Sequence, residues 1–70
     1  MMKKYSFIKR LRLNFELTQD EWAKALKVAQ TSIASWESGR RSPSVPHTTA
    51  IIEFCKKRGV KVTFDDILAG

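Results

Sequence analysis

The chain has 70 residues, with 13 lysines and arginines against 7 aspartates and glutamates, and a formal charge of +6. A chain this size hides only roughly 60% of its unfolded surface, so a single small domain is expected, without room for both a core and a deep catalytic cleft. The charge suits a polyanionic partner, either nucleic acid or an anionic membrane surface, and the apolar content argues against global disorder.

Residues 1–4 are expected to form a loose basic tail. From Ser6 onward the pattern turns helical: Phe7, Ile8, Leu11 and Phe15 recur near a period of 3.6, with Lys9, Arg10 and Arg12 between them. A first helix is predicted over residues 6–13, with Ser6 capping its start and Asn14 supplying a left-handed residue at its end. The same three cations interrupt any signal-peptide core, and no apolar run approaches the ~20 residues of a membrane span. A basic amphipathic helix can also anchor at a membrane surface, but the downstream apolar faces need this helix as a packing partner, so no membrane association is expected.

Thr18 and Glu21 stand three apart and form a capping box, with Asp20 adding negative charge to the first helical turn. A second helix is predicted from residue 19 to about residue 26, with Trp22, Ala23 and Leu26 facing inward. Lys27, Val28 and Ala29 make a turn, with Val28 plugging the core. A third helix is predicted over about residues 30–37, with Ile33 and Trp36 inward. Gln30, Thr31, Ala34, Ser35 and Ser38 are then placed on its outer face.

Gly39 closes that helix. Arg40 and Arg41 follow in a loop. Ser44 is placed as the cap of a fourth helix, with Pro46 tolerated in its first turn. That helix carries Ile51, Ile52, Phe54 and Cys55 and ends at Lys57, Arg58 and Gly59. Lys56, Lys57 and Arg58 read as solubilising charge that also suits the helix C-terminus. Residues 60–62 alternate and are expected to be briefly extended. Thr63, Asp65 and Asp66 restart a helix, and Ile67 and Leu68 are expected to return to the core.

Residues 19–38 thus hold two short helical patterns joined by a tight break, and the second begins with polar side chains suited to base edges. This reads as a helix-turn-helix, within an all-α bundle of about five short helices, whose second helix enters the major groove of DNA. Gln30 can pair bidentately with adenine, and Thr31 offers a hydroxyl or a methyl to thymine. Ser35 and Ala34 complete the expected base-facing set, and Arg40 and Arg41 are candidates for phosphates. Cys55 is the sole cysteine, so no intramolecular disulfide or Cys-based zinc site is available. A buried structural thiol and a cytoplasmic location are expected. His47 has no nucleophile or paired carboxylate placed to use it, capping explains Asp65 and Asp66, and no Gly-rich phosphate loop is present. No enzyme activity, metal or cofactor is expected.

The chain resembles the Cro and phage-repressor class of helix-turn-helix domains. The matching residues are Leu17, Thr18, Gln19, Glu21, Ala23, Leu26, Val28 and Ile33, then Trp36, Glu37, Ser38, Gly39, Arg40 and Pro43, within a resemblance that covers about residues 6–68. It implies a bundle of about five helices that binds DNA as a dimer and represses transcription. By position, it implies that Gln19 grips a phosphate, that Gln30, Thr31 and Ser35 touch bases, and that Ser32 faces the backbone. Ser38, Arg40 and Arg41 join the expected phosphate contacts. Arg12 and Glu37 match an ion pair that ties the first helix to the third. Two departures stand out. Lys27 replaces a frequent glycine at a turn needing positive φ, at a cost on the order of 1 kcal/mol. The link from Gly59 to Thr63 is also slightly longer than the family's usual one.

The expected function is a sequence-specific repressor acting as a homodimer on a palindromic operator, since one module buries too little surface for tight binding and two copies one helical turn apart solve this. The alternative is an antitoxin or accessory regulator whose main role is holding a protein partner such as a toxin.

Overall fold

The computed structural model describes residues 6–69; the basic tail expected at residues 1–4 lies outside them. Five helices follow in order: α1 (Phe7–Asn14), α2 (Gln19–Leu26), α3 (Gln30–Ser38), α4 (Val45–Lys57) and α5 (Phe64–Ala69). There is no strand among the described residues. Residues 60–62, expected to be briefly extended, have no neighbouring strand to complete a ladder and run as a connector, with Val62 buried.

Local chemistry starts most of these helices. The Ser6 hydroxyl accepts from the Lys9 N–H. Thr18 and Glu21 form a reciprocal capping box at 2.9 and 3.0 Å, and Thr63 and Asp66 repeat the arrangement at 3.1 and 3.2 Å. Ser44 occupies the N-cap position of α4, but its side chain makes no cap hydrogen bond and faces His47 instead. The α3 start has Ala29 at the cap and no side-chain cap.

The helix ends share one backbone device. Four of them close with paired hydrogen bonds of the kind that places a left-handed residue just past the helix. Leu17 N donates to Arg12 O, Val28 N to Ala23 O, Arg40 N to Ser35 O and Val60 N to Cys55 O, at 2.9–3.1 Å. Glycine fills the left-handed position after α3 (Gly39, φ 81°) and after α4 (Gly59, φ 78°). Glu16 (φ 58°) and Lys27 (φ 60°) fill it after α1 and α2. The positive φ expected at Asn14 is therefore found two residues later: α1 extends through Asn14, and the turn that delivers Leu17 to the next helix falls on Glu16. Each non-glycine residue there carries Cβ crowding. Lys27→Gly should stabilise the fold by about 0.5–1 kcal/mol, because relieved crowding outweighs glycine's larger unfolded entropy. Thermal unfolding of the variant checks this, and a lower midpoint would contradict it.

The core joins all five helices: Ile8 and Leu11 from α1, Trp22, Ala23 and Leu26 from α2, Ile33 and Trp36 from α3, Ile51 and Cys55 from α4, and Ile67 from α5. A fully buried side chain of this size contributes roughly 1.5–3 kcal/mol. Helix α2 packs on α3 and α4, while α1 lies against α3 and α5. Val28 is half-buried against the cluster. Phe15 meets Phe54 edge-on at 5.4 Å, and the Arg58 guanidinium covers the Phe54 ring at 4.4 Å, so this cation packs as well as solubilises. Leu68, expected in the core, is 60% exposed. Successive residues of a helix point about 100° apart, and Ile67 already occupies the inward position. Cys55 is fully buried, and burial pushes its thiol above the ordinary range, as suits a structural side chain.

Candidate nucleic-acid interface

The face opposite the buried side of α3 carries the polar residues. Ile33 and Trp36 point into the core, so Gln30, Thr31 and Ser38 are exposed, and Ser32, Ala34 and Ser35 are half-exposed along the helix. The Ser38 hydroxyl donates to the Ser35 carbonyl at 3.1 Å, so its proton is engaged within the helix. Arg40 and Arg41 are exposed just beyond Gly39. Their backbone N–H groups both reach Ser35 O, at 3.0 and 3.3 Å, which holds the loop against the last turn of α3.

Gln19 opens α2 and is half-buried. It lies inside a chain of polar contacts rather than alone on the surface. Gln30 Nε2 donates to Gln19 Oε1 at 2.9 Å, and Gln19 Nε2 donates to Glu37 Oε1 at 3.0 Å. Glu37 Oε2 in turn accepts from Arg12 Nε at 2.6 Å, and Oε1 accepts from Arg12 Nη2 at 3.1 Å. Arg12 Nη1 donates to the Leu17 carbonyl at 2.8 Å. The Arg12 and Glu37 side chains keep 11% and 5% of their exposure, so this forked pair is largely removed from water. It ties α1, the α1–α2 turn and α3 together, and the glutamines carry the contact out to the surface of α3.

The resemblance paired Arg12 with Glu37, and the structure holds that pair, but sequence reasoning did not connect it to Gln19 or Gln30. It gave Ser44 only the role of helix cap, which its side chain does not fill, and gave His47 no role. Both line a groove of about 490 Å³ together with Thr31, Ser32, Ser35, Arg40, Arg41 and Ser42, with Trp36 also on its wall. His47 packs against Trp36 with ring centroids 5.3 Å apart and planes tilted by 48°, and its Nδ1 lies 3.2 Å from Ser44 Oγ. A histidine packed against the tryptophan of α3 is invisible to motif spacing, because the start of α4 beside α3 creates the contact. The groove carries two guanidinium groups, several hydroxyls and no carboxylate among its lining residues, a composition suited to phosphate oxygens. Among the described residues, no cluster of ligating side chains is arranged for a metal, and no helix is long and apolar enough to cross a membrane.

The helix-turn-helix family profile matches residues 8–60. The chain is similar to the HTH-type transcriptional activator BcrR of Enterococcus faecalis, at 35% identity over 63 residues, which cover 90% of this chain and 28% of that protein. It therefore spans little more than a quarter of the length of this curated relative. No solved structure matches the chain. With five helices, an exposed polar face on α3 and a match over residues 8–60, the chain belongs to the helix-turn-helix family of Cro and phage-repressor type, a family of DNA-binding transcription regulators.

Proposed function

We propose that this chain reads a specific double-stranded DNA sequence with α3 and acts as a homodimer on a palindromic operator, repressing transcription by occupying it. The observation that carries this reading is the two-sided character of α3. Its apolar side is locked into the core by Ile33 and Trp36, and its outer side presents Gln30, Thr31, Ala34 and Ser35 beside Arg40 and Arg41. In this reading Gln30, Thr31, Ser35 and Ala34 meet base edges, and Gln19, Ser32, Ser38, Arg40 and Arg41 meet the phosphate backbone. Phosphate contacts set register and general affinity; base contacts set sequence preference.

Replacing Arg40 and Arg41 together by alanine should weaken binding to every DNA sequence and lower the slope of log K against log salt by about two phosphate equivalents per subunit. A salt titration on operator and on random duplex measures this; an unchanged slope would remove both arginines from the backbone interface. Sedimentation velocity with half-site and full-site duplexes tests the dimer. Two copies should load on the full site with a higher affinity per copy than on the half-site. One copy on each duplex at equal affinity would sink the homodimer.

The similarity to the transcriptional activator BcrR supports a second reading for the sign of regulation, activation. A reporter carrying the operator over its promoter separates the two: reporter output falls under repression and rises under activation.

A further inference from the structure

A second groove, of about 420 Å³, lies between the end of α4 and the connector to α5. It shares no lining residue with the groove beside α3, and its chemistry differs. The α3 groove offers hydroxyls and guanidinium groups. Here Ile52, Val60 and Val62 supply aliphatic surface, and the exposed Lys56 and Lys61 supply charge. No carboxylate lines it, and neither lysine is ion-paired among the described residues. Phosphate oxygens need hydrogen-bond donors, which aliphatic surface does not offer. Carboxylates carried beside apolar side chains match both halves of this groove.

The connector backbone narrows the partner further. The Val60 N–H is spent on Cys55 O at 2.9 Å, and the Thr63 N–H on the Asp66 carboxylate at 3.1 Å. Between them, the Lys61 and Val62 N–H groups have no hydrogen-bond partner among the described residues. Unpaired backbone groups along an edge are what an extended peptide bonds when it adds as a strand. Side chains two apart on such a peptide point the same way, so two of them reach the aliphatic floor together.

We infer that the groove between α4 and the connector docks an extended acidic segment of a partner protein, whose alternate apolar side chains meet Ile52, Val60 and Val62 and whose carboxylates meet Lys56 and Lys61. A second copy of this chain fits less well. Antiparallel pairing of two connectors centred on the Val60–Val62 run would set Lys61 opposite its own counterpart, and like charges directly opposite destabilise a pair of strands. The site is independent of how α3 meets DNA.

The test selects short random peptides, displayed on phage, against the full chain and counter-selects them on the double variant Lys56→Glu with Lys61→Glu. Both lysines are exposed, so the variant should keep its fold, which its thermal midpoint checks. Recovered peptides should carry apolar residues two apart, flanked by aspartate or glutamate. A synthetic copy of one of them should bind the double variant about tenfold more weakly than wild type, or worse. Replacing its two apolar residues by serine should weaken binding to wild type by a similar factor, a comparison that needs no variant. In NMR spectra the peptide should shift the Lys61 and Val62 amide resonances and leave those of Thr31 and Ser35 in place.

Recovered peptides without carboxylates, equal binding by the double variant, equal binding by the serine peptide, or shifts confined to α3 overturn the inference. So does a DNA duplex that moves the Lys61 and Val62 resonances and displaces the peptide, which assigns the groove to nucleic acid. Shifts at the same amides that grow with protein concentration alone assign it to a second copy, and overturn the inference as well.

Discussion

Arg12→Ala should destabilise the fold by about 2–4 kcal/mol, between the small value of exposed ion pairs and the 3–5 kcal/mol of fully buried ones. Truncation leaves Glu37 with 5% of its side-chain exposure and one remaining neutral donor, Gln19. It also strips the Leu17 carbonyl of its guanidinium donor. Equilibrium denaturant unfolding measures the loss. Lys24→Ala is the internal control: Lys24 and Asp20 form a 3.3 Å pair in α2 with 78% and 65% exposure, and removing it should change stability by no more than about 0.5 kcal/mol. A loss below about 0.5 kcal/mol for Arg12→Ala would place its pair in solvent as well.

Gln30→Ala should cost about 1–3 kcal/mol on the cognate operator and little on random DNA, where phosphate contacts carry the affinity. Gln30 begins α3, the end that enters the groove in helix-turn-helix docking, and it is exposed. Its one side-chain partner among the described residues is Gln19, a surface contact between neutral groups, so the fold should survive the change. Titrations against each base substitution in one half-site should show discrimination relaxed at one A·T pair. Equal weakening on every sequence, or full discrimination retained at every position, would move the recognition face elsewhere.

Much of this protein is determined locally, and local features are legible in a sequence. The inward sets Ile8 with Leu11, Trp22 with Leu26, and Ile33 with Trp36 follow from helical period, because a helix can bury only one stripe. The box at Thr18 and Glu21 and its counterpart at Thr63 and Asp66 follow from a spacing of three, because hydroxyl and carboxylate reach across one turn. Gly39 and Gly59 announce helix ends because glycine adopts positive φ freely.

Tertiary packing decided the rest. Nothing in the composition of Glu16 calls for a left-handed backbone; it has one because Leu17 must turn back to bond Arg12 O. Lys27 carries positive φ for the same reason at the α2–α3 turn, and there only the family resemblance gave warning. Leu68 is as apolar as Ile67, but a six-residue helix presents one of the two to the core. Gln19 and Gln30 are eleven positions apart and Gln19 and Glu37 eighteen, so no local period joins them. The packing of α2 on α3 brings the three together over the Arg12 pair. His47 likewise joins the groove because α4 starts beside Trp36. A sequence shows which side chains can donate, accept or be buried; which of them meet depends on how the helices cross, and the whole core sets that at once.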